Sequence, residues 1–292
     1  MAHGLALLEK GKREDLPEAI GRFSEAVALR RSLEPSGDPW QVYNLAGSLM
    51  NLGDALTRQG TAAEMADGGK AYDEAMGLLA SLPRGGDPLY LRRLLVGHLN
   101  TGLNHLFRGP DTMATAREHF AFALAMADSA ALGDWPDRGL LAAAAAANLA
   151  SAELRRGAWD AAIAAAARAE LEADPKAEEE VACADAAIRA RHTHLSALIS
   201  RWQQSATERP DAGTLSASTD AAEEGLRLAR AWEAKGVAWF RPLAADLFRT
   251  GARLYASFQP QFLAEFLNDY GGADPETANQ FIQAAIKKRL PT

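Results

Sequence analysis

The chain has 292 residues, 48% of them hydrophobic and 24% charged, so it can bury a core and is not a disordered segment. Its net charge of −7, with no basic stripe, argues against a nucleic-acid binder. One cysteine, Cys183, excludes an internal disulfide, and the most apolar stretch, Leu140 to Leu154, carries Asn148 and Glu153 and falls short of a membrane span.

Glycine sets the reading frame. Gly11, Gly60, Gly109 and Gly157 follow one another at intervals of 49, 49 and 48 residues. A period in that range signals a stacked array of one supersecondary unit. An asparagine stands nine residues before three of these glycines, at Asn51, Asn100 and Asn148. Behind the glycines come the triplets Ala19-Phe23-Ala26, Gly68-Tyr72-Ala75 and Ala116-Phe120-Ala123, and a fourth, Ala162-Ala166-Ala169, with alanine in place of the ring. Alanine abundance and the lack of alternating β-branched runs favour closely packed helices over sheet.

In chain order, each unit reads as helix, glycine turn, helix, Asp-Pro turn. Asp38-Pro39, Asp87-Pro88, Asp134-Trp135-Pro136 and Asp174-Pro175 open first helices, because Asp caps free N–H groups and Pro has none to lose at the first position. First helices are expected over 39–59, 88–108, 136–156 and 175–205. Second helices are expected over 15–33, 65–82, 110–131 and 158–173. The first unit keeps only about residues 4–10 of its first helix. A polar loop is expected at 209–219, then a helix over 220–235 carrying Ala222, Leu226 and Ala229. The rest, over 239–258, 261–270 and 275–290, is helical and rich in aromatics, as befits a segment sealing one end of a stack. The units are thus about 1–35, 36–84, 85–133, 134–175 and 176–235, with 236–292 as a C-terminal capping segment.

The stretch Asn51-Leu52-Gly53-Asp54-Ala55-Leu56-Thr57-Arg58-Gln59-Gly60 resembles the first helix of a tetratricopeptide (TPR) repeat. So does Asn148 to Gly157 followed by Ala158-Trp159-Asp160-Ala161-Ala162-Ile163. The period exceeds that family's roughly 34 residues. It is similar to the longer variants in kinesin light chains and in signalling ATPases of the STAND class. No Gly-x-x-x-x-Gly-Lys-Ser/Thr accompanies it. The resemblance implies an all-α, right-handed superhelical solenoid of antiparallel helix pairs, with an inner groove for a peptide or a partner protein. It assigns helix-to-helix contact to Gly53, Gly102 and Ala150, and packing between units to Ala26, Ala75, Ala123 and Ala169. The family's carboxylate-binding version has a lysine just before its first asparagine, where Met50 stands here.

The candidate ligand groove is Asn51, Asp54 and Arg58, then Asn100, Leu103, Asn104 and Phe107, then Asn148, Ser151 and Arg155, one and two turns apart on successive first helices. Two readings of the asparagines stay open: a ladder binding a peptide backbone, or links between neighbouring helices. His98, His105, His119, His192 and His194 show no spacing that gathers a metal site, and Lys287-Lys288-Arg289 reads as charge at a helix C-terminus. No catalytic constellation stands out. The expectation is a cytoplasmic scaffold or adaptor that is not an enzyme, needs no cofactor, binds a protein or peptide and neither inserts into a membrane nor binds nucleic acid. The alternative is a sensor holding a small molecule or short peptide in a pocket closed by the C-terminal helices.

Overall fold

The computed structural model describes all residues except 10–11, 34–37, 83–86, 130–131, 134, 205–209, 238–239 and 290–292, and the side chains of 9 and 285–289. Gly11, Asp134 and Trp239 lie outside the described residues, as do the side chains of Lys287, Lys288 and Arg289. The described residues form α-helices and short 3-10 turns, with no strand among them. The chain divides into two compact units, Met1–Ala145 and Ala146–Thr292.

The first unit holds α1 (Ala2–Glu9), α2 (Leu16–Leu33), α3 (Pro39–Gln59), α4 (Ala62–Ser81), α5 (Pro88–Arg108) and α6 (Met113–Ala127), and the division falls within α7 (Arg138–Arg155). From α1 through α5 each helix packs against the next, and α3 also touches α5. The expected spans of α3 and α5 are met residue for residue. Asp38 and Asp87 cap them by accepting from Trp40 N and Leu89 N, each at 2.9 Å, with Pro39 and Pro88 next in line. Gly60 and Gly157, with φ of 85° and 74°, take the left-handed conformation that ends a helix without a Cβ penalty. A capping box that the sequence reading overlooked starts α4 earlier than expected: Thr61 Oγ1 accepts from Glu64 N, and the Glu64 carboxylate accepts from Thr61 N.

One contact recurs in every ring-bearing pair. An ideal Cβ on Gly4 would stand 2.8 Å from the Phe23 ring, one on Gly53 2.9 Å from Tyr72, and one on Gly102 2.6 Å from Phe120. The second helix therefore lays its aromatic ring on bare backbone of the first. All three rings are buried. The fourth copy has Ala150 and Ala166, both fully buried, so the extra methyl appears where the ring is gone.

The second unit continues with α8 (Trp159–Ala173), α9 (Val181–Gln204), α10 (Ala212–Ala234), α11 (Phe240–Phe258), α12 (Leu263–Tyr270) and α13 (Pro275–Arg289). Helix α9 is its centre and packs on α8, α10 and α11. Two expectations are corrected here. The first helix expected from Pro175 begins only at Val181, because Asp174–Lys176 is a 3-10 turn. The loop expected over 209–219 is helical from Ala212. Asp211 caps it by accepting from Thr214 N at 2.9 Å, and Ser218 and Thr219 turn their hydroxyls back onto the carbonyls of Thr214 and Ser216. The C-terminal aromatics form core: Phe266 lies within 5.5 Å of Phe248 and 4.7 Å of Tyr255 between ring centres, and Gly251 makes room for the Phe266 ring.

The ring-on-glycine contact is directly testable. Gly102→Ala overpacks it and is expected to cost about 1–3 kcal/mol in urea unfolding. In the Phe120→Ala background the same change should cost much less, giving a positive coupling in the double-mutant cycle. Equal costs in both backgrounds would show that the ring is not what excludes the methyl.

Candidate functional site

The successive turns of a helix advance about 100° per residue. Asn51, Asp54 and Arg58 therefore share one face of α3, and Asn100, Leu103 and Phe107 share one face of α5. On α3, Asn51 and Asp54 are half-buried, and Arg58 is exposed and bonds Asp54 Oδ1 through Nε at 2.9 Å. On α5, Asn100 and Leu103 are half-buried and Phe107 is 56% exposed. The Asn51 and Asn100 amides make no side-chain hydrogen bond to another described residue, so their donors and acceptors are left to solvent or a ligand.

Asn104 behaves differently. It has no exposed surface, and its Nδ2 donates to Thr57 Oγ1 on α3 and to Met65 O on α4, both at 2.9 Å. It ties three helices together and offers nothing to a ligand. Its position on α5 is turned toward the interior relative to Asn100, where α3 and α4 meet.

In the second unit Asn148 is 4% exposed, and its Oδ1 accepts from Arg189 Nη1 on α9 at 2.9 Å. Arg189 is in turn held by Asp185 one helical turn away. The Ser151 hydroxyl donates back to Ala147 O at 3.0 Å, and Arg155 is exposed. Of the three repeating asparagines, then, two present unused amides and one is a link between helices.

His98, His105 and His119, whose spacing gathers no metal site in the sequence, form an imidazole cluster between α5 and α6. His98 Nδ1 and His119 Nδ1 are 2.9 Å apart, so one ring donates and the other accepts. His105 lies parallel to His119 with ring centres 5.8 Å apart, and its Nδ1 is buried without a hydrogen-bond partner. Burial, with the facing His119 second, pushes His98 down to about 4. Burial likewise lowers His105 and His119, despite the opposing field of Asp73. The three rings are therefore neutral near pH 7. The signal was available: once Gly102 is set against Phe120, an antiparallel hairpin places His98 and His105 opposite the stretch around His119. Among the described residues, no group of three or more His, Cys, Asp or Glu side chains is placed to hold a metal ion.

Two predictions follow from this geometry. Asn104→Ala strands Thr57 and the Met65 carbonyl in the interior and should lower stability by about 1–3 kcal/mol, whereas Asn51→Ala should stay within about 0.5 kcal/mol in the same denaturation assay. The second concerns pH. A histidine whose folded pKa lies below its unfolded value binds fewer protons folded than unfolded, so stability falls as pH drops through that interval. Melting temperature should therefore decline from pH 6.5 toward pH 4, the interval set by His98. His98→Leu should flatten that decline, and an unchanged slope would remove His98 from the account.

No family model matches this chain, and neither does any curated protein. Twenty chains of solved structures do match. Among them is the crystal structure of BtubC (BKLC) from P. vanneervenii, with a TM-score of 0.58 and 16% sequence identity over 95% of this chain and 94% of that one. A likeness at that identity speaks to fold alone. The chain is an all-helical protein with a helical-repeat-like structural neighbour, and none of its described helices is long and apolar enough to cross a membrane.

Proposed function

We propose that this chain is a protein- or peptide-binding module of tetratricopeptide type, a superhelical scaffold or adaptor rather than an enzyme, working in the cytoplasm. The observation that carries the reading is a pair of partnerless amides on α3 and α5. Two amides without protein partners, Asn51 and Asn100, stand on helices that touch, flanked by the exposed Phe107 ring and the Arg58–Asp54 pair. Unused amides can bond the backbone of a bound segment whatever its side chains, while an exposed aromatic supplies apolar contact. The glycine and alanine period supports the family assignment, because it repeats the contacts between helices that such arrays need.

The partner would lie along α3 and α5, its backbone bonded by the amides and an apolar side chain set on Phe107. Asn104 and Asn148 would act indirectly, by holding the helices in place. The test is to capture partners from the native host with the wild-type chain and with Asn51→Ala/Asn100→Ala/Phe107→Ala, and to measure binding of whatever only the wild type retains. Two lost hydrogen bonds at roughly 0.5–1.5 kcal/mol each, plus the ring contact, should weaken binding by about tenfold or more. Helix content should be unchanged. A captured partner that binds the triple variant with undiminished affinity would move the site elsewhere.

A further inference from the structure

The first unit also carries a cleft that the amide face does not use. Helices α4 and α6 both pack on α5, and toward the C-terminal ends of α4 and α6 the space between them is left open. The opening measures about 440 Å³. Met76 of α4 and Phe122 and Met126 of α6 form its walls, and Tyr90, Leu94 and His98 of α5 form its floor. It lies on the opposite side of α5 from Asn100 and Phe107, because His98 is about half a turn away from them on the helix.

Three features mark this cleft as a place for a small molecule. No charged side chain is among the described residues that line it. Its size falls within the roughly 300–1,000 Å³ of ordinary ligand pockets. Phe122 is 51% exposed at its edge although the ring also packs on His98 at 4.4 Å between ring centres, so a large aromatic surface is left open to water. The cleft is also built to adapt. A Cβ on Gly97 would stand 2.5 Å from Met76 Sδ, so the missing side chain is what lets that thioether lie across α5. Methionines on both walls can change shape around an occupant and make favourable contacts with aromatic rings.

Of the polar side chains among its described lining residues, Tyr90 spends its hydroxyl on Leu79 O at 2.7 Å, which leaves the His98 imidazole. His98 shares a proton with His119 across 2.9 Å. When His98 Nδ1 donates, its Nε2 is an acceptor; when His98 Nδ1 accepts, its Nε2 carries the proton and is a donor. If both rings change tautomer together, each moving its proton from one nitrogen to the other through solvent, His98 switches from one role to the other and both rings stay neutral.

We propose that this cleft binds an uncharged aromatic molecule carrying a single hydrogen-bonding group, with its ring system between Met76, Phe122 and Met126 and its polar group on His98. Charged ligands are disfavoured because no described residue of the walls compensates them. The small volume and the single polar contact favour such a molecule over a helix of a partner protein, which would need a longer groove.

The full chain can be titrated with N-phenyl-1-naphthylamine, an uncharged aromatic with one N–H whose fluorescence rises in apolar surroundings. A saturable rise is expected. Ala80 is exposed at the mouth of the cleft, so Ala80→Trp should fill it from outside and weaken the probe by about tenfold with no change in helix content. His98→Leu should abolish any preference for this probe over 1-phenylnaphthalene, which has no N–H. A readout on the unaltered chain stands beside these variants: the probe should shift the ring NMR signals of His98 and His119 and leave those of His3 and His194 in place. Absence of saturable binding, equal affinity in Ala80→Trp, or unmoved His98 and His119 signals would each overturn the proposal.

Discussion

An aromatic ring resting on a glycine is the contact from which the rest of this chain follows. Gly4 with Phe23, Gly53 with Tyr72 and Gly102 with Phe120 repeat one solution to one problem: two helices can approach closely only where one of them gives up its side chain. The ring then fills the volume that a closer approach would otherwise leave irregular. Gly251 beneath Phe266 uses the same device in the C-terminal aromatic core, outside the region of strict period. The polar features are arranged around these contacts. Asn104 follows Gly102 by two positions and reaches the neighbouring hairpin. His98, one turn before Gly102, meets the His119 that precedes Phe120.

The helices were legible because backbone constraints leave marks at fixed spacing. An Asp-Pro pair, a glycine nine residues after an asparagine and a small residue opposite a ring are each dictated by local geometry, and α3 and α5 were read to the residue from them. The failures have physical causes too. The run Gly213, Thr214, Ser216, Ser218 and Thr219 looks like a loop by composition. Within the helix Ser218 and Thr219 bond carbonyls of the previous turn and Thr214 bonds the capping Asp211 carboxylate, which composition does not reveal. The helix expected from Pro175 starts instead at Val181, just after the acidic run Glu178-Glu179-Glu180.

The candidate site was legible only in part, and the three asparagines show why. Their spacing is the same and their positions on first helices correspond, so periodicity treats them alike. What separates them is what the neighbouring helix brings. Arg189 meets Asn148 and fixes it inside, while Asn51 and Asn100 are met by nothing comparable. Asn104, which breaks the repeat, turned out to be the most buried of the four. The imidazole pair lay within reach of sequence reasoning, but only through hairpin register, which spacing along a single helix does not supply.

The ring and its glycine lie only 18 or 19 residues apart, so each such hairpin can close on itself at a small loop entropy and gather its own nucleus early. In the fourth copy, buried Ala150 and Ala166 stand where the others have a glycine and a ring. That copy has less to gain from closing alone and must draw its order from helices such as α9 that come later in the chain. Folding should therefore start at several separate points and reach residues 138–173 last. During synthesis, the N-terminal hairpins would be formed before the chain that completes this middle segment has been made.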